Sequence, residues 1–143
     1  MKNFYLSQTL NLSIYDFNTS LIGPWYWNKE IQALSVYTNI TQPKLRIYLY
    51  SPIDMVYNIT LYIIEGWQGG LNISLDSRYF LSFIYKEKSS LNKIFMKNLN
   101  LTKGFHILEI SVFRDYNNSY YNAKIVGLNI SPNPLFFYLV SDK

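Results

Sequence analysis

Three groups of aromatic residues stand beside turn-forming residues in this 143-residue chain. They are Trp25-Tyr26-Trp27 after Gly23-Pro24, Trp67 within Gly66-Trp67-Gln68-Gly69-Gly70, and Tyr120-Tyr121 after Asn117-Asn118-Ser119. Indole and phenol rings present flat apolar faces with a polar edge. In loops, such rings suit stacking against the apolar faces of sugar rings, while an amide such as Gln68 bonds the hydroxyls. Trp67, Trp25, Trp27, Gln68 and Tyr121 are therefore the candidate ligand-binding residues. Period-two alternation puts Trp25 and Trp27 on one face and Tyr26 on the other. The competing expectation is that both tryptophans plug the end of a small β domain as core. Trp67, flanked by glycine on a stretch that reads as a flexible turn, is the member expected to be most exposed.

Other chemistries find less to work with. Glycoside hydrolysis needs two facing carboxylates about 5 to 9.5 Å apart, and the 9 Asp and Glu residues show no short-range pairing. The chain has no Cys and a single His, His106. That excludes a cysteine nucleophile, a zinc ribbon and a redox pair. His106 begins a strand just after a turn, where an imidazole bonds nearby backbone and packs more readily than it serves as a general base. There is no Gly-x-Ser-x-Gly elbow, P-loop or Asp-rich calcium loop. No catalytic residue, metal or cofactor is expected, and the chain reads as non-enzymatic. Its net charge is +4, from 13 Lys and Arg against 9 Asp and Glu. Nucleic-acid binding needs such charge gathered on one face. Lys86, Lys88, Lys93 and Lys97 form the only local cluster, with Glu87 among them, so nucleic acid is not an expected partner.

Asn-x-Ser/Thr occurs eight times, at Asn11, Asn18, Asn39, Asn58, Asn72, Asn100, Asn117 and Asn129. Independent placement of the same residues gives roughly two such glycosylation acceptor motifs. In six of the eight the middle residue is Leu or Ile. On a strand, i and i+2 share a face, so Asn and its hydroxyl partner point to solvent while the aliphatic points inward. A sheet with an uncharged polar face would write the same pattern without any sugar, as suits acidic surroundings where carboxylates are protonated. Both readings place the domain outside the cytoplasm.

Alternation of apolar and polar residues dominates the chain, as at Leu10-Asn11-Leu12-Ser13-Ile14, Leu45 to Tyr50 and Asn58 to Ile63. Such runs, broken by Gly, Pro, Asn and Ser turns, predict an all-β protein: a two-sheet antiparallel β-sandwich of about eight to nine strands. One domain over residues 1–143 is expected, with strands mainly in 10–130 and a C-terminal extension over 131–143. Tyr79 to Lys86 is ambiguous, because Phe80, Phe83 and Ile84 also suit one helical face. No apolar run reaches the roughly 20 residues of a spanning helix, and the first residues lack the apolar core of a secretory signal. Either the chain is intracellular or it is excised from something longer, and the sequon density favours excision from a larger surface or membrane protein.

Leu101-Thr102-Lys103-Gly104-Phe105-His106-Ile107-Leu108-Glu109-Ile110 resembles the hairpin of galactose-binding-like jelly rolls, where a strand ends in leucine, turns through glycine and returns with His or Asn before alternating aliphatics. The upstream order, Tyr57 to Ile64 and then a short strand at Tyr79 to Ile84, is also similar. The resemblance implies jelly-roll topology, with Ala123 to Ile130 in the same sheet as the first strand. It further implies a carbohydrate-binding accessory module. In style, low charge, Tyr/Asn/Ile richness and dense sequons resemble extracytoplasmic proteins of hot-acid archaea or their viruses. The expected function is a non-catalytic extracytoplasmic module that contacts glycans or a glycosylated cell envelope. The alternative is a structural or assembly protein of a cell surface, appendage or virion whose partners are copies of itself.

Overall fold

The computed structural model describes residues 3–6, 10–13, 23–115 and 120–132. Eleven strands run through them: β1 (Asn3–Tyr5), β2 (Leu10–Ser13), β3 (Tyr26–Asn28), β4 (Ala33–Thr38), β5 (Lys44–Ser51), β6 (Met55–Ile64), β7 (Gly70–Leu75), β8 (Tyr79–Ile84), β9 (Leu91–Leu101), β10 (Gly104–Phe113) and β11 (Tyr121–Pro132). Nine of these are the alternating runs of the sequence, and β1 and β3 add three residues each. One sheet has the order β1-β5-β10-β7-β8. The other has the order β3-β4-β11-β6-β9, with β2 beside β11. All ladders are antiparallel except β1 with β5. β11 shares one edge between β4, along Tyr121 to Ile125, and β2, along Gly127 to Ile130. This places the late strand in the sheet of Leu10–Ser13, as jelly-roll topology requires.

Each strand turns its aliphatic phase into the space between the sheets. Leu45, Ile47 and Leu49 of β5, Leu71 and Ile73 of β7, and Leu108, Ile110 and Val112 of β10 face Tyr57, Ile59, Leu61 and Ile63 of β6 together with Ile94, Met96 and Leu101 of β9, all buried. Two bulges adjust the phase. β11 buries Ala123 and Ile125, then Leu128 and Ile130, with the register slipping between Ile125 and Gly127. β9 buries Ile94 and Met96, then Leu99 and Leu101, and Asn98 takes a left-handed φ of 60°. One extra residue moves every later side chain to the other face, so a bulge is the only way to keep such a strand's aliphatics inside.

Asn58, Asn72, Asn100 and Asn129 stand away from the core while Ile59, Ile73, Leu101 and Ile130 are buried between them. Asn39-Ile40-Thr41 departs from that expectation: it is a bend, and Ile40 is 85% exposed. Asn11 lies on β2, and Asn18 and Asn117 lie outside the described residues. Tyr79–Ile84 is a strand, because its backbone pairs with β7 along its whole length.

Candidate functional site

One end of the sandwich gathers the β6–β7 loop, the β8–β9 loop and the start of β11. The first of these loops begins at Glu65, whose carboxylate is buried although it closes an apolar strand. Its Oε1 accepts from the backbone N–H of Lys86 at 2.7 Å and of Glu87 at 3.4 Å. Glu65 N donates to Ser90 O and Ser89 N donates to Glu65 O, both at 2.8 Å. A buried carboxylate is tolerable only with such donors, and here they tie the two loops together.

Asn122 holds the rest of the loop. Its Oδ1 accepts from Trp67 N at 2.8 Å, and its Nδ2 donates to Trp67 O at 2.8 Å and to Gln68 O at 3.2 Å. Its own carbonyl accepts from the Tyr85 hydroxyl at 2.9 Å. Burial, followed by the charge of Glu65, pushes the Tyr85 phenol well above the usual tyrosine range, so that hydroxyl remains a donor. Gly66 is required by contact rather than by φ, since a Cβ there would stand 1.9 Å from Asn122 Oδ1. The stretch expected to be a flexible turn is therefore pinned, and the signal for it was Glu65, a lone acid closing an aliphatic strand before glycine.

On this fixed loop Trp67 is 51% exposed, with Lys88 Nζ 6.0 Å from its ring centroid. Gln68 follows at φ 55°, and its Oε1 is buried without a hydrogen-bond partner among the described residues. Tyr121, next to Asn122, is half-buried with the Arg114 guanidinium 4.7 Å over its ring. Tyr120 stacks on Tyr37 at 4.5 Å. Trp67, Gln68 and Tyr121 thus converge on one end through Asn122. Trp25 and Trp27 do not present open rings there. Trp25 is 2% exposed and its Nε1 donates to Lys44 O at 3.2 Å, bridging toward β5 of the opposite sheet. Trp27 is half-buried against the core on edge strand β3, while Tyr26 points outward. The competing core expectation describes Trp25, and Asn122, Glu65, Lys88 and Arg114 are additions from the structure.

His106 is buried at the far end of β10. Its Nδ1 lies 2.5 Å from Asp76 Oδ2 and its Nε2 lies 2.6 Å from Thr102 O, while Asp76 Oδ1 accepts from Ile107 N at 2.8 Å. It clamps the turns before β8 and β10. On the outer face of the five-stranded sheet, Arg46, Tyr48, Ser74, Asp76, Ile107 and Glu109 line a depression of about 540 Å³. Both of its carboxylates already hold partners, Asp76 as above and Glu109 from Arg46 Nε at 2.7 Å. Glu109 holds the Arg46 guanidinium above its ordinary pKa, by hydrogen bond first and charge second.

No protein-family profile and no curated protein matches the chain. Solved structures do, in fold. The chain superposes on TmCBM61 in complex with β-1,4-galactotriose with a TM-score of 0.58, 10% identity, and 90% and 91% of the two chains covered. The CBM36-1 domain of a multidomain xylanase from the hindgut metagenome of Trinervitermes trinervoides gives 0.56, 14% identity, and 86% and 96% covered. The GH26-CBM35 β-(1,4)-mannanase of Podospora anserina gives 0.54 at 10% identity, and this chain spans 28% of its length. The fold is that of β-sandwich carbohydrate-binding modules.

Proposed function

We propose that the chain is a non-catalytic glycan-binding module whose contact surface is the loop end around Trp67. The observation that carries this reading is an exposed indole on a loop whose backbone Asn122 pins, beside the half-buried Gln68 and Tyr121. Preorganisation matters because ordering a loop on binding subtracts from affinity. The fold shared with modules solved on galactotriose and on a glucuronic-acid-containing disaccharide supports the class of ligand. Titration of tryptophan fluorescence with β-1,4-galactan, glucuronoxylan and mannan tests it. At least one polymer is expected to bind, and Trp67→Ala to weaken binding by about 10- to 100-fold, the loss of one aromatic stacking partner. Unchanged affinity in Trp67→Ala, or no binding to any polymer, contradicts the assignment.

The same reading places the module outside the cytoplasm, with the sequons as acceptors. Asn58 Oδ1 accepts from Asn98 N at 3.1 Å, and Asn72 Oδ1 accepts from Ser82 Oγ at 2.6 Å. Both bonds use the oxygen and not the nitrogen that carries a sugar. Intact mass of protein from the native host is expected to exceed the sequence mass in hexose-sized steps. A bare mass contradicts the glycoprotein reading.

A further inference from the structure

The molecule guards its sheet edges unequally. An open edge presents a row of unpaired N–H and C=O groups, and proteins blunt it with lysines, bulges or brevity. Edge strand β9 carries the exposed Lys93 and Lys97 and the bulge at Asn98. Edge strands β1 and β3 have three residues each. β8 uses none of these devices. Its sequence Tyr79-Phe80-Leu81-Ser82-Phe83-Ile84 holds no charge, no Pro and no Gly. Every residue but Ser82 is aromatic or aliphatic, the composition of a pairing strand. Phe80 is 70% and Ile84 62% exposed on its outer face. Among the described residues its ladder is with β7 alone, and no other described strand pairs with it.

We infer that β8 is a homotypic pairing edge, joining antiparallel to β8 of a second copy to make one ten-stranded sheet. The sequence of the strand selects that occupant because it complements itself. Antiparallel pairing about a two-fold axis keeps side-chain faces in step only when a residue sits on the axis. With Ser82 there, Phe80 meets Ile84 of the second copy twice on the outer face, and Leu81 meets Phe83 on the core side. Centring on Leu81 would set Ile84 against Arg78, and centring on Phe83 would set Phe80 against Lys86. Both cost the strand the Phe80–Ile84 pairs of its outer face. A six-residue edge buries less than the roughly 1,600 Å² of a standard stable interface, so the pair exchanges with monomer.

Sedimentation of the full chain from about 1 μM to about 1 mM tests the inference. The wild type is expected to pass from one chain mass to two. Phe80→Lys and Ile84→Lys change only exposed side chains, and each is expected to keep the melting temperature of the dilute protein while raising the association midpoint at least about tenfold. Phe80→Lys combined with Ile84→Glu is expected to recover association, because the Ser82 register sets opposite charges across the two copies. Within one chain those positions are about 13 Å apart, too far to pair. Phe95→Lys on β9 is expected to leave association unchanged. A wild type that stays one chain throughout, single variants that associate like the wild type, a double variant no better than the singles, or an equal loss in Phe95→Lys overturns the inference.

Discussion

Asn122→Ala is expected to lower the stability of the domain by about 3 kcal/mol, shifting its melting temperature by about 10 °C. The substitution deletes the acceptor of Trp67 N and the donors to Trp67 O and Gln68 O. Those backbone groups stay in a partly buried loop with no replacement, and a stranded polar group costs more than the bond it lost was worth. Asn122→Asp serves as a sharper control. It retains an acceptor for Trp67 N but turns an acceptor toward two carbonyls, so it is expected to be no better than alanine despite its shape. Urea unfolding of the three proteins measures the difference. A loss below about 1 kcal/mol in Asn122→Ala would mean that the loop stands without its latch.

Gly66→Ala is expected to break the same latch from the opposite side, at a cost of about 2–3 kcal/mol. The added methyl would lie 1.9 Å from Asn122 Oδ1 and 2.9 Å from the Tyr85 ring. Neither neighbour can retreat freely, since Asn122 bonds the loop and Tyr85 is buried with its hydroxyl on Asn122 O. The two substitutions share one contact, so their effects are not additive. In an Asn122→Ala background, Gly66→Ala is expected to cost about 1 kcal/mol or less, the residue of the Tyr85 contact. Additive losses in the same unfolding series would contradict the shared latch.

Much of the fold was legible because burial has one period on a strand. Leu45, Ile47 and Leu49 could be placed inward, and Ile59, Ile73, Leu101 and Ile130 likewise, from alternation alone. The helical option at Tyr79–Ile84 was decided by pairing with β7, a long-range contact that local spacing does not encode. β3 is too short to declare itself by alternation, and the parallel partner of β1 comes from distant sequence. The bulges leave a trace, a change of aliphatic phase from Ala123 and Ile125 to Leu128 and Ile130. The exposed Ile40 shows the opposite error, where a sequon falls in a bend and alternation has no meaning.

The site was half legible. Glycines around Trp67 marked a loop-borne indole, and the structure leaves that ring exposed. The same glycines suggested freedom of movement, whereas Gly66 serves close packing on Asn122. That residue could not be singled out, because a buried amide reads like any other polar strand residue until its three backbone partners are brought beside it by the fold. Trp25 and Trp27 share a face as alternation requires, but which face is covered depends on the opposite sheet, through Lys44.

The most direct measurement is the indole N–H spectrum of ¹⁵N-labelled protein during titration with the polymer that binds. With three tryptophans, each ring reports separately. A glycan docked on the loop end should shift the Trp67 resonance progressively and leave that of the buried Trp25 in place. Binding that leaves Trp67 unmoved, or that moves Trp25 instead, would contradict the assignment of this end as the contact surface.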